Sequence, residues 1–573
     1  MNTYAVAFLP PWVTVGLILE SAVIVGISAV SYYLLQHYPK GCAGFVSKVS
    51  KLAERRWLII AAVAIFPVVF RVALLQWVPI PVPEVHDEYA HLLLADTLRG
   101  GRLSNPTHPF WVHFEAPYVL QQPTYASSYP PGQGAVLAVA QWLTGQPWYG
   151  VLLSAGLMCG AICWALQEMV GPTWAFIGGL VAIIQFTLVW SRGGPVSYWI
   201  NSYWGGAVAA FGGAILFGAL IRLFHSVHVR YTLLICAGWS IIFFTRPYEA
   251  VGLGLVLGCV LSVWMLRSSS ISQATKLWQV LAPAAAVLSV TLCFALDYNY
   301  KVTGDPWLHP YQLSRKLYGV PQAFVWEGPI PKPIFRHKTL EDLYDYQLSE
   351  YLRAWSPNEI GRRLHSAWGF YFGPLFTLPL LTLVWTRITR EAWLLITFTL
   401  IGVFWNVAYF YYIPHYSASY AVNVVFIIIL GMRALAVWRW QGKPLGACAL
   451  VALLAASVVP TIGTIGRFLV DGAASPRLTD RHYVEAQLEH KTGRHLVFVH
   501  YSTQHYLHKE WVYNSAQIDS APIVWAREWT SESNKALMRY FSDRFVWLVD
   551  ADDPERQPAL KLVRTPFPTA VGK

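Results

Sequence analysis

The densest reactive chemistry in this chain is one short run, Glu84-Val85-His86-Asp87-Glu88-Tyr89, just past an apolar stretch that begins near Arg56. A carboxylate held at the mouth of a membrane span can accept a proton from a hydroxyl or amine. A neighbouring carboxylate can orient it, or the two can share a cation. Asp87 is therefore the candidate base, Glu88 its catalytic companion and His86 a substrate-binding group. Acidic residues also favour the first turn of a helix for simple electrostatic reasons, and that is the plainer reading of the dipeptide alone.

The loop beyond this run favours chemistry. Trp111, Tyr118, Tyr125 and Tyr129 punctuate a Pro- and Gln-rich stretch that closes on Ser128-Tyr129-Pro130-Pro131-Gly132. Aromatic residues at a membrane boundary commonly form a belt. They also give a sugar ring an apolar platform, and Tyr129 is the candidate for that role. Three cations are candidates for holding a lipid phosphate. Arg246 lies in Thr245-Arg246-Pro247-Tyr248, Arg192 in Ser191-Arg192-Gly193-Gly194-Pro195, and Arg71 inside a span. A guanidinium matches phosphate oxygens two at a time. The plainer account of Arg246 is an ion pair with Glu249 or a headgroup, and an intramembrane Arg71 needs a partner in any case. Two further outer turns add His309, in Thr303-Gly304-Asp305-Pro306-Trp307-Leu308-His309-Pro310, and His415-Tyr416 after Pro414. The first opens a loop of about 70 residues, and long ordered loops are usually functional. A lone histidine is more often structural than chemical.

The elements that must hold these groups are membrane helices. Hydrophobic residues make up 55% of the chain and charged residues 13%. Soluble domains carry roughly twice that charged share, and several apolar runs exceed the length of about 18–20 residues that spans a bilayer. The expected fold is all-α and polytopic, with about twelve transmembrane helices by hydropathy. They fall near 11–35, 57–80, 148–168, 172–190, 204–222, 231–245, 250–266, 277–297, 369–386, 392–412, 418–437 and 445–466. The pair at 231–266 also reads as one kinked helix. The net charge of +11 does not indicate nucleic acid, because many Lys and Arg residues sit in alternate short connections. That is the positive-inside bias. It places the loops 81–147 and 298–368 and the tail on the extracytoplasmic face of a multi-pass membrane protein, and a bacterial inner or plasma membrane is the expected location. Residues 132–146, apolar but short, read as a helix lying in the interface behind Pro130-Pro131-Gly132.

Residues 1–472 form the transmembrane catalytic unit in this reading. Residues 473–573 change character. A helix pattern near 477–490, a strand from His495 to His500, an apolar run from Pro522 to Trp525, a helix near 532–541 and a run from Phe545 to Val549 read as a small α/β domain. It is long enough to fold alone, and it is expected to cap or steer the acceptor. His495, His500, His505 and His508 are plentiful there, but no carboxylate sits among them at metal-ligand spacing. The 7 cysteines lie in or beside apolar spans or in a basic loop, without a CxxC pair, so neither a disulfide framework nor a zinc cluster is expected. The first residues lack a cationic leader region, and the first helix reads as uncleaved. No cofactor is required. A divalent metal is compatible with the single carboxylate pair, but no ligand set supports it.

Taken in order, these motifs resemble a family. A span is followed by Asp87-Glu88 in the first outer loop, a Pro-Pro-Gly helix start, a Thr-Arg-Pro turn, a Thr-Gly-Asp-Pro loop and a His-Tyr turn, over roughly residues 57–466. The order resembles the GT-C glycosyltransferases, in particular the protein O-mannosyltransferase and lipid A aminoarabinose transferase group. The resemblance implies a GT-C fold and a polyprenyl-phosphate-linked sugar as donor. It implies transfer on the extracytoplasmic side, to a glycan, lipid or protein acceptor. It also implies that Asp87 is the family's first-loop acidic residue and Arg246 its phosphate-binding cation. Inverting displacement is the expected mechanism. The extra N-terminal span and the C-terminal segment depart from the family pattern. Two other classes stay open. A transporter or flippase would use charges within spans, with Glu20 and Arg71 as candidates. A non-catalytic lipid-binding or assembly subunit would not need Asp87.

Overall fold

The computed structural model describes residues 11–188, 197–320, 324, 327–328, 331–470, 480–553 and 558–566. Arg192 lies outside the described residues, as does the side chain of Glu20. Among the described residues, seven helices are long and apolar enough to cross a membrane: Arg56–Ala73, Trp148–Val170, Ala207–His225, Pro247–Arg267, Gln273–Thr303, Pro414–Val437 and Leu445–Gly463. Pro357–Tyr371 and Gly373–Trp385 would make an eighth, bent by 85°. Pro172–Leu188 and Val229–Phe243 are apolar but shorter, and the first helix, Pro11–His37, runs for 27 residues, its stretch from Ser21 on being apolar. The hydropathy count of about twelve spans includes those three, the bent pair, and the helix Arg390–Val407, whose first turn is charged. Hydropathy measures composition, whereas the length of an unbroken helix depends on where turns interrupt it. The ambiguous pair at 231–266 is two helices, Val229–Phe243 and Pro247–Arg267, with Arg246 in the turn between them.

The outer helices leave broad apolar surface bare. Ile65, Phe66 and Val69 on one helix, and Leu288, Val290, Leu292 and Phe294 on another, are all exposed. Contiguous bare apolar surface is what a lipid environment covers. The inner helices pack through small residues. At Gly156 and Gly160 of Trp148–Val170, an added Cβ would meet Ala64 O at 2.5 Å and Ala64 Cβ at 2.9 Å. That close approach fixes the helix Arg56–Ala73, which delivers the acidic run.

The first long loop opens with the helix His86–Arg99 and closes with the helix Pro131–Thr144. The second helix corresponds to the segment expected at 132–146. It buries Leu137 and Ala138 and exposes Trp142 and Leu143. The second long loop holds the helices Pro310–Tyr318 and Lys338–Arg353. The two loops are tied together by side chains. Tyr318 Oη donates to Glu115 Oε1 at 3.0 Å, and Gln347 Nε2 donates to Tyr118 Oη at 3.2 Å.

The tail folds into a four-stranded sheet in the order Ile523–Arg527, Arg494–His500, Arg544–Asp550, Lys561–Arg564. The first three strands are parallel and the last is antiparallel. Strand side chains alternate between faces. Val497 and Val499 pack with Val484 and Leu488 of the tail's own helix Asp480–Glu489. Leu496 and Phe498 pack instead with Ala90, Leu93, Phe114 and Val119 of the first loop. One face of the sheet therefore shares its core with the first loop. The expectation of a tail that folds alone did not include that shared core.

Candidate active site

A cavity of about 900 Å³ lies where the two long loops meet the helix ends. Its wall includes Asp87, His86, Tyr129, Arg246, His309, His415 and Tyr416. These residues come from separate stretches of sequence, and each stands out there for its chemistry alone. Tyr118, Tyr311, Tyr346, Tyr409 and Trp405 complete a largely aromatic lining.

Asp87 and Glu88 take opposite roles because one residue advances about 100° around a helix. Asp87 faces the cavity and Glu88 faces away. Glu88 is 5% exposed, and its Oε2 accepts from the backbone N–H groups of Glu84 at 2.9 Å and Val85 at 3.3 Å. Its Oε1 accepts from Tyr203 N–H at 3.1 Å. The catalytic role expected for Glu88 is thus replaced by a structural one: it satisfies the orphan donors at the start of its own helix. Burial pushes its carboxyl up to about 7, against the pull of those donors.

Both oxygens of Asp87 are held. Tyr129 Oη donates to Oδ1, and His86 Nδ1 lies 2.8 Å from Oδ2. Burial alone would raise the carboxyl. His86, the Tyr129 hydroxyl and nearby His91 outweigh it and hold Asp87 well below the usual carboxylate range. Burial and the Asp87 charge raise the Tyr129 phenol far above its ordinary value, so it remains a donor. His91, four residues on and thus on the same helix face, stacks on Tyr129 with centroids 4.4 Å apart. Burial, with a smaller push from Arg246, holds His91 at about 3 despite Asp87. It is a neutral imidazole at ordinary pH.

Arg246 ends the turn before Pro247–Arg267 and lies over the Tyr416 ring at 4.9 Å. Among the described residues its guanidinium has no hydrogen bond or direct ion-pair contact within the protein; Glu249 lines the same cavity and feels its charge without touching it. Arg71 is placed differently. It is 1% exposed and donates to Val78 O, Pro79 O and Asn201 Oδ1 at 2.7, 2.8 and 2.8 Å. Its guanidinium lies over Trp148 at 4.7 Å. Arg71 does not line the cavity, and its expected role toward a phosphate is corrected to one of pinning the chain where it leaves the span. Both Nη groups are spent on these acceptors, and only Nε is left buried without a partner.

His309 and His415 line the cavity but are engaged. His309 Nδ1 accepts from Tyr311 N–H at 3.1 Å and caps the helix Pro310–Tyr318. Burial lowers it to about 4. His415 Nδ1 lies 3.2 Å from Tyr198 Oη, with Trp204 edge-on at 4.9 Å. Three groups of the site do not emerge from the sequence. His91 is legible there only as the residue one turn after Asp87. Arg315 gives no signal, since a cation beside Lys316 reads as a solvated face. It donates from Nη1 to Gln347 Oε1 at 2.6 Å and leaves Nε and Nη2 buried without partners. His508 is one of several tail histidines without metal-ligand spacing, yet it lines the cavity. Among the described residues, no three His, Cys, Asp or Glu side chains converge to hold a metal ion.

The Pro-Pro-Gly motif joins the two halves of the site. Gly132 N–H donates to Phe244 O at 2.7 Å, which ties the first loop to the Arg246 turn. A Cβ at Gly132 would meet Phe244 O and Thr245 Cγ2, both at 2.6 Å. Gly132→Ala should therefore move Arg246 away from Asp87 and cost about 1–3 kcal/mol of overpacking. A melting curve and a turnover assay in detergent check this. Wild-type values in both would mean that the two elements are not rigidly coupled.

No family model matches the chain, and no curated protein matches it. Among solved structures, the chain is similar to ArnT from Cupriavidus metallidurans in the apo state, with 12% identity, 90% of this chain and 94% of that chain covered, and a TM-score of 0.47. For ArnT bound to undecaprenyl phosphate the figures are 13%, 89%, 93% and 0.47. For the archaeal oligosaccharyltransferase AglB from Archaeoglobus fulgidus, in complex with an inhibitory peptide and a dolichol-phosphate, they are 10%, 78%, 62% and 0.40.

Proposed function

We propose that this protein is a membrane glycosyltransferase that moves a sugar from a polyprenyl-phosphate carrier to an extracytoplasmic acceptor, with inversion. The observation that carries the reading is the pairing, in one aromatic cavity, of an ionised carboxylate and an unpartnered guanidinium, Asp87 and Arg246. The acceptor's heteroatom bonds to the anomeric carbon on the face opposite the phosphate. The bond from that carbon to the phosphate oxygen breaks, and the oxygen keeps the electron pair. Asp87 accepts the hydrogen bond of the attacking group and then its proton. Arg246 meets the charge that grows on the leaving phosphate. The tyrosine wall gives the sugar ring its platform, and the bare apolar helix faces give the prenyl chain its solvent. The volume is within the range of about 300–1,000 Å³ common for small-molecule sites. The alternate basic connections support an extracytoplasmic mouth. No metal or cofactor is invoked. The transporter reading loses Arg71, which is spent on backbone carbonyls.

The donor site is tested with Arg246→Ala. A charge-assisted contact to phosphate is worth about 1.5–3 kcal/mol, so affinity for a polyprenyl-phosphate sugar should fall at least about tenfold, with little change in melting temperature. Unchanged affinity in a direct binding assay would remove Arg246 from the donor site and with it the central observation.

A further inference from the structure

The loop after the first strand of the tail enters the wall of the cavity at Tyr506 and His508. Its place is fixed from both sides. Lys509 forms an antiparallel bridge with Val85, directly before the acidic helix. On the tail side, His505 Nδ1 lies 2.8 Å from Asp552 Oδ1, and His505 Nε2 donates to Lys509 O at 2.6 Å. Lys509 Nζ also pairs with Asp480. The result is a meeting of two imidazoles far apart in sequence: His86 Nε2 lies 3.1 Å from His508 Nδ1. Tyr118 flanks the His86 ring at 5.0 Å, and Tyr346 flanks the His508 ring at 5.4 Å.

The proton positions are set by the group each nitrogen faces. His86 Nδ1 is buried, lies 2.8 Å from Asp87 Oδ2 and has no other hydrogen-bond partner. Opposite an ionised carboxylate, that nitrogen must carry the hydrogen. In a neutral His86 the other nitrogen, Nε2, is then a lone pair that needs a donor. The donor within reach is His508 Nδ1–H. The hydrogen bond at one imidazole nitrogen decides which tautomer the other presents.

We propose that His508 is a positioning residue of the reaction centre: by donating to His86 Nε2 it keeps the His86 proton on Nδ1, facing Asp87. The C-terminal segment thereby completes the active site instead of only covering it. With Tyr129 on Oδ1 and His86 on Oδ2, the rotamer of Asp87 is set from both sides, and one of those sides depends on a residue 422 positions away from His86. This inference rests on the reading of Asp87 as the group that meets the acceptor.

The test compares three variants in the full-length protein. His508→Ala removes the donor. His508→Asn places an amide N–H close to where Nδ1–H stood. His508→Asp places a carboxylate there, and His86, now between two carboxylates, takes a second proton and becomes an imidazolium. Transfer from a polyprenyl-phosphate sugar should fall about ten- to a hundredfold in kcat for His508→Ala, part of the hundred- to ten-thousandfold that a general base supplies. The donor KM should change less than about threefold, the signature of a group that acts only as the reaction proceeds. Asn should restore most of the rate, and Asp should not. Separately, 15N NMR of imidazole-labelled protein should show His86 protonated on Nδ1 in wild type and His508→Asn, and a mixed tautomer in His508→Ala. Wild-type kcat in His508→Ala overturns the proposal. So does a loss that Asn does not recover, with KM rising in parallel, since that is the behaviour of a simple latch. If the wild-type protein transfers no sugar, the transferase reading falls. The NMR comparison then decides the present proposal, and an unchanged His86 tautomer in His508→Ala overturns it.

Discussion

Asp87→Asn should lower sugar transfer by about 100- to 10,000-fold, the usual cost of losing a general base, while the donor lipid still binds. The substitution keeps the shape of the side chain. Its oxygen still accepts from the Tyr129 hydroxyl, which donates to Asp87 Oδ1 in the native site. What disappears is the charge. The native carboxylate is held well below the usual range by His86, Tyr129 and His91 in spite of its burial. That direction sets the sign of the pH effect. The working form is the ionised one, and a depressed value keeps it ionised down past the ordinary carboxylate range of about 4. Loss of activity as pH falls through about 7 must then come from another group, and Glu88, whose buried carboxyl is pushed up to about 7, is one that takes up a proton there. A carboxylate held this low is a weak base at rest. It orients the acceptor, stabilises the positive charge that grows as the new bond forms, and takes the proton once that charge has made the attacking group acidic. The measurements are kcat for transfer and the Kd of the donor. Near-normal kcat in Asp87→Asn would exclude Asp87 as the catalytic group.

Arg527→Ala should destabilise the folded protein by about 3–5 kcal/mol, the cost of breaking a buried ion pair from one side. Arg527 is 2% exposed. Its Nη2 donates to Glu510 Oε2 at 2.7 Å, Nη1 to Thr339 Oγ1 at 2.6 Å and Nε to Glu115 O at 2.5 Å. One guanidinium therefore staples the tail, the second loop and the first loop. Removing it leaves Glu510 charged and buried with no cation beside it. Arg527→Lys keeps the charge but not the planar fork that reaches three acceptors, so it should recover only part of the loss. Thermal unfolding in detergent gives the magnitude, and limited proteolysis between residues 470 and 480 reports whether the tail has come loose. A melting temperature within a degree of wild type would mean that the three segments are held mainly by the apolar cluster around Leu496 and Phe498.

Much of the site was legible one residue at a time. Asp87, Arg246, His415 and Tyr416 stood out as polar or cationic groups at outer turns beside apolar spans, and Tyr129 as an aromatic of the Pro- and Gln-rich loop; all five line one cavity. Composition required long apolar helices, and the alternation of the tail required strands, because those signals are local. Three expectations turned on facts that a linear pattern does not hold. Glu88 looks equivalent to Asp87 in sequence, but the helical step turns it onto the backbone donors of Glu84, Val85 and Tyr203. Arg71 looks like an unpaired intramembrane charge, but the chain folds back so that Val78 and Pro79 supply its acceptors. The tail looks self-sufficient, but the period of two gives its sheet two apolar faces. Its own helix packs on one, and the first loop packs on the other. Arg315 and His508 carried no local mark at all.

The sequence by itself determined which chemical groups this protein has, and that they lie at the ends of membrane helices. Residue type and periodicity act within a few turns of chain, where burial and hydrogen bonding are set by near neighbours. Only the tertiary structure decided which groups meet. Asp87 and Arg246 line one cavity, and Gly132 ties the loop of the one to the turn of the other because it lets two backbones touch. His86 meets His508 because a shared apolar core brings the tail back onto the first loop. Such encounters depend on the packing of whole segments, whose energy is spread over many side chains.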